Sequence, residues 1–88
     1  MTSGQRILEQ PKESRLTYAV EQRLRLIDFL LHHYGSVSRG ELMDYFGVGE
    51  ATATRDFSTY NALAPENALL NQSSKRWVKA DTFKRVWA

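Results

Sequence analysis

The stretch from Ser38 to Tyr60, SRGELMDYFGVGEATATRDFSTY, admits few folds, because it reads as two short helices meeting at a tight Gly-Val-Gly corner. Ser38 and Glu41 stand in the S-x-x-E spacing, in which the serine hydroxyl caps an amide of the first turn and the carboxylate reaches back to the serine amide. A helix therefore starts here. Leu42, Tyr45 and Phe46 recur at intervals that place apolar groups on one stripe, and Gly47 offers the left-handed conformation that ends such a helix after about two turns. Val48 is placed to plug the corner. Gly49 is an acceptable N-cap for the second helix, and Glu50 falls in its first turn, where the helix dipole favours a carboxylate.

On that second helix Ala53, Phe57 and Tyr60 lie within about 60° of one another at about 100° per residue, so they are expected to be buried. Asp56 borders this stripe, where a neighbouring basic or amide group is its expected partner. The other face carries Ala51, Thr52, Arg55, Ser58, Thr59 and Ala62. It is small and polar with one arginine, which suits entry into a DNA major groove, where acidic or bulky side chains would repel or collide with phosphates. The candidate DNA contacts on this helix are Ala51, Thr52, Thr54, Arg55, Ser58 and Thr59. A small polar face is also what any solvated helix presents, and helix-turn-helix units occur in protein-binding modules as well, so the spacing alone leaves both readings open.

Either side of this unit the chain alternates between periodic and irregular segments. Residues 1–13 are polar, contain Pro11 and show no period, so they are expected to form a flexible arm, with Arg6 or Lys12 as optional DNA contacts. From Ser14, Leu16, Val20, Leu24, Ile27, Leu31 and Tyr34 recur every three or four residues, with Leu30 widening the stripe; they predict a long helix, with Thr17 to Glu21 the place for a break, ending at Gly35. Glu21, Arg25 and Asp28 are expected on its solvated side, and Arg23 and Arg25 are candidates for a secondary backbone contact. His32 and His33 point about 100° apart as helical neighbours, so they do not converge on one metal ion. Ser36 and Val37 suffice for a one-bridge strand.

Pro65 forces Ala64 out of the helical region, so the second helix of the pair ends by about Leu63. The segments ALLNQ and RWVKA, separated by Ser73, Ser74 and Lys75, then predict a β-hairpin. Trp77 is expected to face the core with Leu69 or Leu70 across from it, leaving a basic tip. Ser73, Ser74, Lys75 and Arg76 on this hairpin, with Ser38 and Arg39 at the start of the first short helix, are the candidate backbone contacts. Asp81 is placed to cap a last segment containing Phe83, Val86 and Trp87. Trp87 either packs back on the long helix or marks a junction to something further. The whole predicts a mainly α fold with a small β-hairpin, a winged helix-turn-helix of three helices plus wing, spanning residues 14–80, with 81–88 as a C-terminal segment or linker.

Charge and composition narrow the function. With no cysteine in 88 residues there is neither a disulfide framework nor a thiolate metal site, and no apolar run resembles a signal peptide or membrane span. A cytoplasmic, nucleoid-associated protein is the expectation. The formal charge is only +2, but from Asn67 onward Lys75, Arg76, Lys79, Lys84 and Arg85 face one acid, Asp81. No nucleophile stands at a familiar spacing from a base, and the two corner glycines belong to the turn, so neither an enzyme nor a cofactor is expected.

The run from Arg23 to Phe83 resembles the N-terminal winged-helix domain of WYL-domain transcriptional repressors, the group that controls phage-defence loci. YNALAPEN at Tyr60 to Asn67, followed by a Lys-aromatic-Val wing strand, carries most of that likeness. Val48 to Phe57 is more distantly similar to the DeoR-type helix-turn-helix, with Gly49 where Ser is usual and Phe57 where Leu is usual. The resemblance implies a homodimer binding an inverted repeat in double-stranded DNA, with Thr52, Arg55 and the wing lysines as contacts. Family members continue into a WYL domain and a dimerisation extension, so no small-molecule ligand is expected within these residues. The competing expectation is a winged-helix protein-interaction module or regulator antagonist, anchored by exposed Phe83 and Trp87 and indifferent to DNA.

Overall fold

Six elements follow one another in the computed structural model, which describes residues 16–87. They are α1 (Tyr18–Tyr34), β1 (Ser36–Val37), α2 (Arg39–Phe46), α3 (Glu50–Leu63), β2 (Ala68–Asn71) and β3 (Arg76–Lys79). The arm expected at residues 1–13, with Arg6 and Lys12, lies outside the described residues. Thr17 is extended, and its hydroxyl accepts the Val20 amide at 3.2 Å, so α1 begins at Tyr18; Ser14, where the periodic pattern starts, lies outside the described residues. Gly35 closes it at φ 83, donating its N–H to the Leu31 carbonyl at 3.0 Å.

At α2 the expected capping box is present, and the Ser38 amide donates to Glu41 Oε1 at 2.9 Å. Gly47 ends the helix at φ 68. Gly49 caps α3 from an extended conformation, and Ala64 leaves the helix before Pro65, as expected. Leu24, Ile27 and Leu31 of α1, Val37 of β1, Leu42 of α2 and Ala53, Phe57 and Tyr60 of α3 form one buried cluster. Each large aliphatic side chain in it contributes about 1.5–3 kcal/mol relative to exposure, so these few residues fix how the helices cross.

Two aromatic residues leave the stripes assigned to them. Tyr45 is 72% exposed; the short α2 reaches the core through Leu42, with Met43 and Phe46 half-buried beside it. Tyr34 is 74% exposed because it is the last residue of α1, where the chain turns away at Gly35.

The three strands form an antiparallel sheet in the order β1-β3-β2. Val37 lies opposite Trp77, and Leu70 opposite the other side of Trp77, which settles Leu70 over Leu69 as its partner in the hairpin. The Trp77 ring stacks on Phe57 at 5.7 Å with 9° between planes, so the hairpin is fastened to α3 by its inward face. Three helices and a wing so arranged are a winged helix-turn-helix.

Asp28 departs most from expectation. It is not on a solvated face but 1% exposed. Its Oδ1 accepts the Tyr60 hydroxyl at 2.6 Å, and its Oδ2 accepts the amides of Val86 at 2.9 Å and Trp87 at 3.1 Å. Residues 80–87 contain no helix, so Asp81 does not cap one; they cross α1 as an irregular strap that covers the flank bearing Asp28. Trp87 packs back on α1, with the Arg25 guanidinium 5.4 Å above its ring.

Burial foremost, and then the bond to Asp28, push the Tyr60 phenol well above its ordinary pKa near 10. An unfolded chain releases this proton above about pH 10 while the folded chain holds it, so this contribution to stability is complete below that pH and lost as pH rises through it. The urea midpoint is therefore expected to fall between about pH 8 and pH 11 by more in the wild type than in Tyr60→Phe. Equal falls in both proteins would contradict the burial of this phenol.

Candidate nucleic-acid interface

Two polar fastenings hold α3 against α1 with its outer face to solvent. Besides the Tyr60 bond, Arg23 grips Asp56 through Nε to Oδ2 and through Nη2 to Oδ1 at 3.3 Å, with side-chain exposures of 13% and 4%. Asp56 thus has the basic partner its position suggested. Arg23, in turn, is committed inside the protein and not turned toward a DNA backbone. Arg25 is likewise occupied, pairing with Glu21 at 2.7 Å under the strap.

The opposite face of α3 exposes Ala51, Thr54, Arg55 and Ser58, with Thr52 and Thr59 half-buried. Arg55 makes no ion pair among the described residues. The Thr59 hydroxyl donates to the Arg55 carbonyl at 3.0 Å, so it offers a ligand only its acceptor side. Arg39 bridges from α2 to α3, donating to Thr54 Oγ1 at 3.0 Å and approaching Glu50 at 3.2 Å. That contact draws Arg39 across the start of α3 while leaving its side chain 45% exposed. Ser38 is half-buried at the α2 cap.

Between α3 and the wing runs a groove of about 380 Å³, floored by Phe57 and Trp77 and walled by Arg39, Thr54, Ser58, Asn61, Gln72 and Lys75. Asn61 and Gln72 are not among the sequence candidates. Asn61 was within reach of spacing, since Thr54, Ser58 and Asn61 follow the three- and four-residue helical repeat; Gln72 depends on how the hairpin folds over α3.

The wing tip is a four-residue turn closed by the Lys75 amide on the Asn71 carbonyl at 2.8 Å, with Lys75 itself at φ 61. Asn71 Oδ1 accepts the Ser74 amide at 3.0 Å, and the Ser74 hydroxyl accepts the Arg76 amide at 3.3 Å. Ser73 and Lys75 are exposed. Arg76, by contrast, folds back: its Nε donates to Ser36 Oγ at 2.9 Å, and its Nη2 lies 3.1 Å from Glu41. The same Glu41 that closes the α2 capping box thereby ties the wing to the helix-turn-helix.

The groove brings together Thr54, Ser58, Arg39 and Lys75, with Arg55 exposed on the same helix as Thr54 and Ser58; of these three cations, Arg55 and Lys75 make no ion pair among the described residues. Phe83 and Trp87, expected as exposed anchors of a protein-docking face, are both half-buried against the domain. Among the described residues no group of three or more His, Cys, Asp or Glu side chains is placed to hold a metal ion. No described helix is long and apolar enough to cross a membrane.

Residues 19–88 match the family of the BrxR transcriptional regulator winged helix-turn-helix domain, which is a family of regulators and not of enzymes. The chain is 36% identical over 67 residues, or 76% of its length, to the DNA-binding transcriptional repressor CapW of Escherichia coli (strain KTE188). It is 31% identical over the same share to CapW of Pseudomonas aeruginosa, and 25% identical over 90% of its length to CapW of Stenotrophomonas maltophilia. The chain spans about a fifth of these relatives, from 22% to 26% of their length.

Proposed function

We propose that this chain, which belongs to the BrxR transcriptional regulator winged helix-turn-helix family, binds double-stranded DNA sequence-specifically through α3 and the wing and acts as a transcriptional repressor. The observation that carries the reading is an exposed Arg55 on the outer face of α3, outside any ion pair among the described residues, together with a groove walled by Thr54, Ser58 and Asn61 of α3 and by Lys75 of the wing tip. In it α3 enters the major groove, α2 braces the backbone through Ser38 and Arg39, and the wing clamps the flank through Ser73, Ser74 and Lys75. Arg76 contributes chiefly by holding the wing to Glu41. The relatives named as DNA-binding transcriptional repressors support this assignment; a cytoplasmic, nucleoid-associated homodimer on an inverted repeat at phage-defence loci is what the resemblance to WYL-domain repressors implies.

Arg55→Ala is expected to weaken binding to a duplex selected from a random library by about 1–3 kcal/mol, with an unchanged urea midpoint. Unchanged affinity by fluorescence anisotropy would remove Arg55 from the interface. Lys75→Ala should lower affinity for all duplexes alike and reduce the slope of log K against log salt by about one unit, whereas Arg76→Ala should change the slope less. Equal slopes in Lys75→Ala and wild type would count against the wing contact.

A further inference from the structure

The strap has no regular secondary structure, yet six hydrogen bonds join its residues to the domain, the first from the Ala80 amide to the Asn67 carbonyl at 2.9 Å. Thr82 donates its hydroxyl to the Glu66 carbonyl, and Asn67 clasps Lys84 from both sides, Nδ2 donating to its carbonyl at 2.8 Å and Oδ1 accepting its amide at 3.0 Å. Val86 and Trp87 donate their amides to Asp28. Asp28 and Asn67 are also the two partners of the Tyr60 hydroxyl, which donates to Asp28 and accepts from Asn67 Nδ2 at 3.0 Å. Every donor and acceptor in this buried cluster has a partner, so strap and α3 compete for none of them and are held by the same two side chains.

Tyr60 is one helical turn beyond Asp56, the site of the other polar fastening of α3 to α1. With both made, polar bonds anchor α3 to α1 at two points besides its buried Ala53, Phe57 and Tyr60; with the Asp28 bond released, only the Arg23–Asp56 anchor of the two remains, and the turn beyond it, which carries Ser58 and Asn61, loses its own. We propose that Asp28, Tyr60 and Asn67 are positioning residues that couple the strap to the recognition helix, so that attachment of residues 82–87 and DNA binding each favour the other. The coupling rests on the DNA-binding reading above. By thermodynamic reciprocity, whatever loosens the strap weakens the grip on DNA, and bound DNA tightens the strap.

The test uses the full chain and a fluorescein-labelled duplex recovered by selection, with amide exchange followed by NMR. Saturating duplex is expected to slow exchange at Val86 and Trp87 by about fivefold or more, beyond any change at amides that open only on global unfolding. Tyr60→Phe, which keeps the ring but removes the link, and Val86→Pro, which removes one amide donor outside the core, should each bind the duplex about fivefold or more weakly while giving a cooperative urea transition. Exchange at both amides unchanged while anisotropy shows the duplex bound would overturn the coupling and leave the DNA reading intact. Absence of duplex binding in the wild type would overturn both. Should Val86→Pro fail to fold, the exchange measurement on the wild type and the affinity of Tyr60→Phe decide.

Discussion

Asp28→Ala is expected to destabilise the domain by about 3 kcal/mol or more, because hydrogen bonds to a carboxylate contribute about 1.5–3 kcal/mol each and three are lost together. The donors left behind differ in their prospects. The Tyr60 hydroxyl sits at a fully buried residue and keeps only Asn67 as neighbour, whereas the Val86 and Trp87 amides can turn to water if the strap lifts. The loss is therefore smaller than the sum of three bonds. Asp28→Asn keeps the shape and one acceptor oxygen but puts an NH2 donor where the second oxygen now accepts, so it should recover part of the loss. At a urea slope of about 1–1.5 kcal/mol per molar for a domain this size, the alanine midpoint should fall by roughly 2 M or more. A midpoint within roughly 0.3 M of wild type would mean that this carboxylate is not the buried junction described.

The second large effect is expected at Arg23. Removing one member of a buried ion pair costs about 3–5 kcal/mol, since the remaining charge has lost its solvent and its partner together. Asp56, with 4% of its side chain exposed, is left in that position by Arg23→Ala. Thermal unfolding should shift down by roughly 12 °C or more, at about 4 °C per kcal/mol for a domain of this size. Replacing both partners by apolar residues of similar volume, Arg23→Met with Asp56→Leu, should restore most of the stability, because the cost lies in the unpaired charge and not in the absence of the pair. If Arg23→Ala and the double variant melt alike, the pair is not the fastening it is taken to be.

These two sites also mark where reading the chain stops being enough. The turn of the helix-turn-helix was legible because its determinants are local: the Ser38–Glu41 spacing, Gly35 and Gly47 at helix ends, and Pro65 after the last helical turn all act within a few residues of themselves. Trp77 was legible because an alternating strand has only two faces and one of them had to meet Phe57. Asp28 defeats local spacing for the opposite reason. Its partners lie 32, 58 and 59 residues away, and on the helix it stands to one side of the apolar stripe, where local spacing predicts solvent. Asn67 gives no local sign of its role for the same reason, since its partner Lys84 lies 17 residues away. Arg23 was placed among candidate DNA contacts because a surface arginine and a paired one are indistinguishable until α3 is laid across α1. At the interface, the residue types on α3 were readable from the helical period, but the engagement of Arg39 and Arg76 with Glu50 and Glu41 was not. Of the candidate contacts on α3 and the wing, that pairing leaves Arg55 and Lys75 as the cations outside any ion pair.

DNA binding by this domain depends on those two cations meeting a duplex, and equilibrium binding of the wild-type chain to duplex DNA across a range of salt tests this most directly. Neutralising one or two phosphates per domain predicts that log K falls linearly with log salt, with a slope of about −1 to −2, and that a selected site outcompetes random duplex. A folded protein with no salt-dependent affinity for any duplex would contradict it.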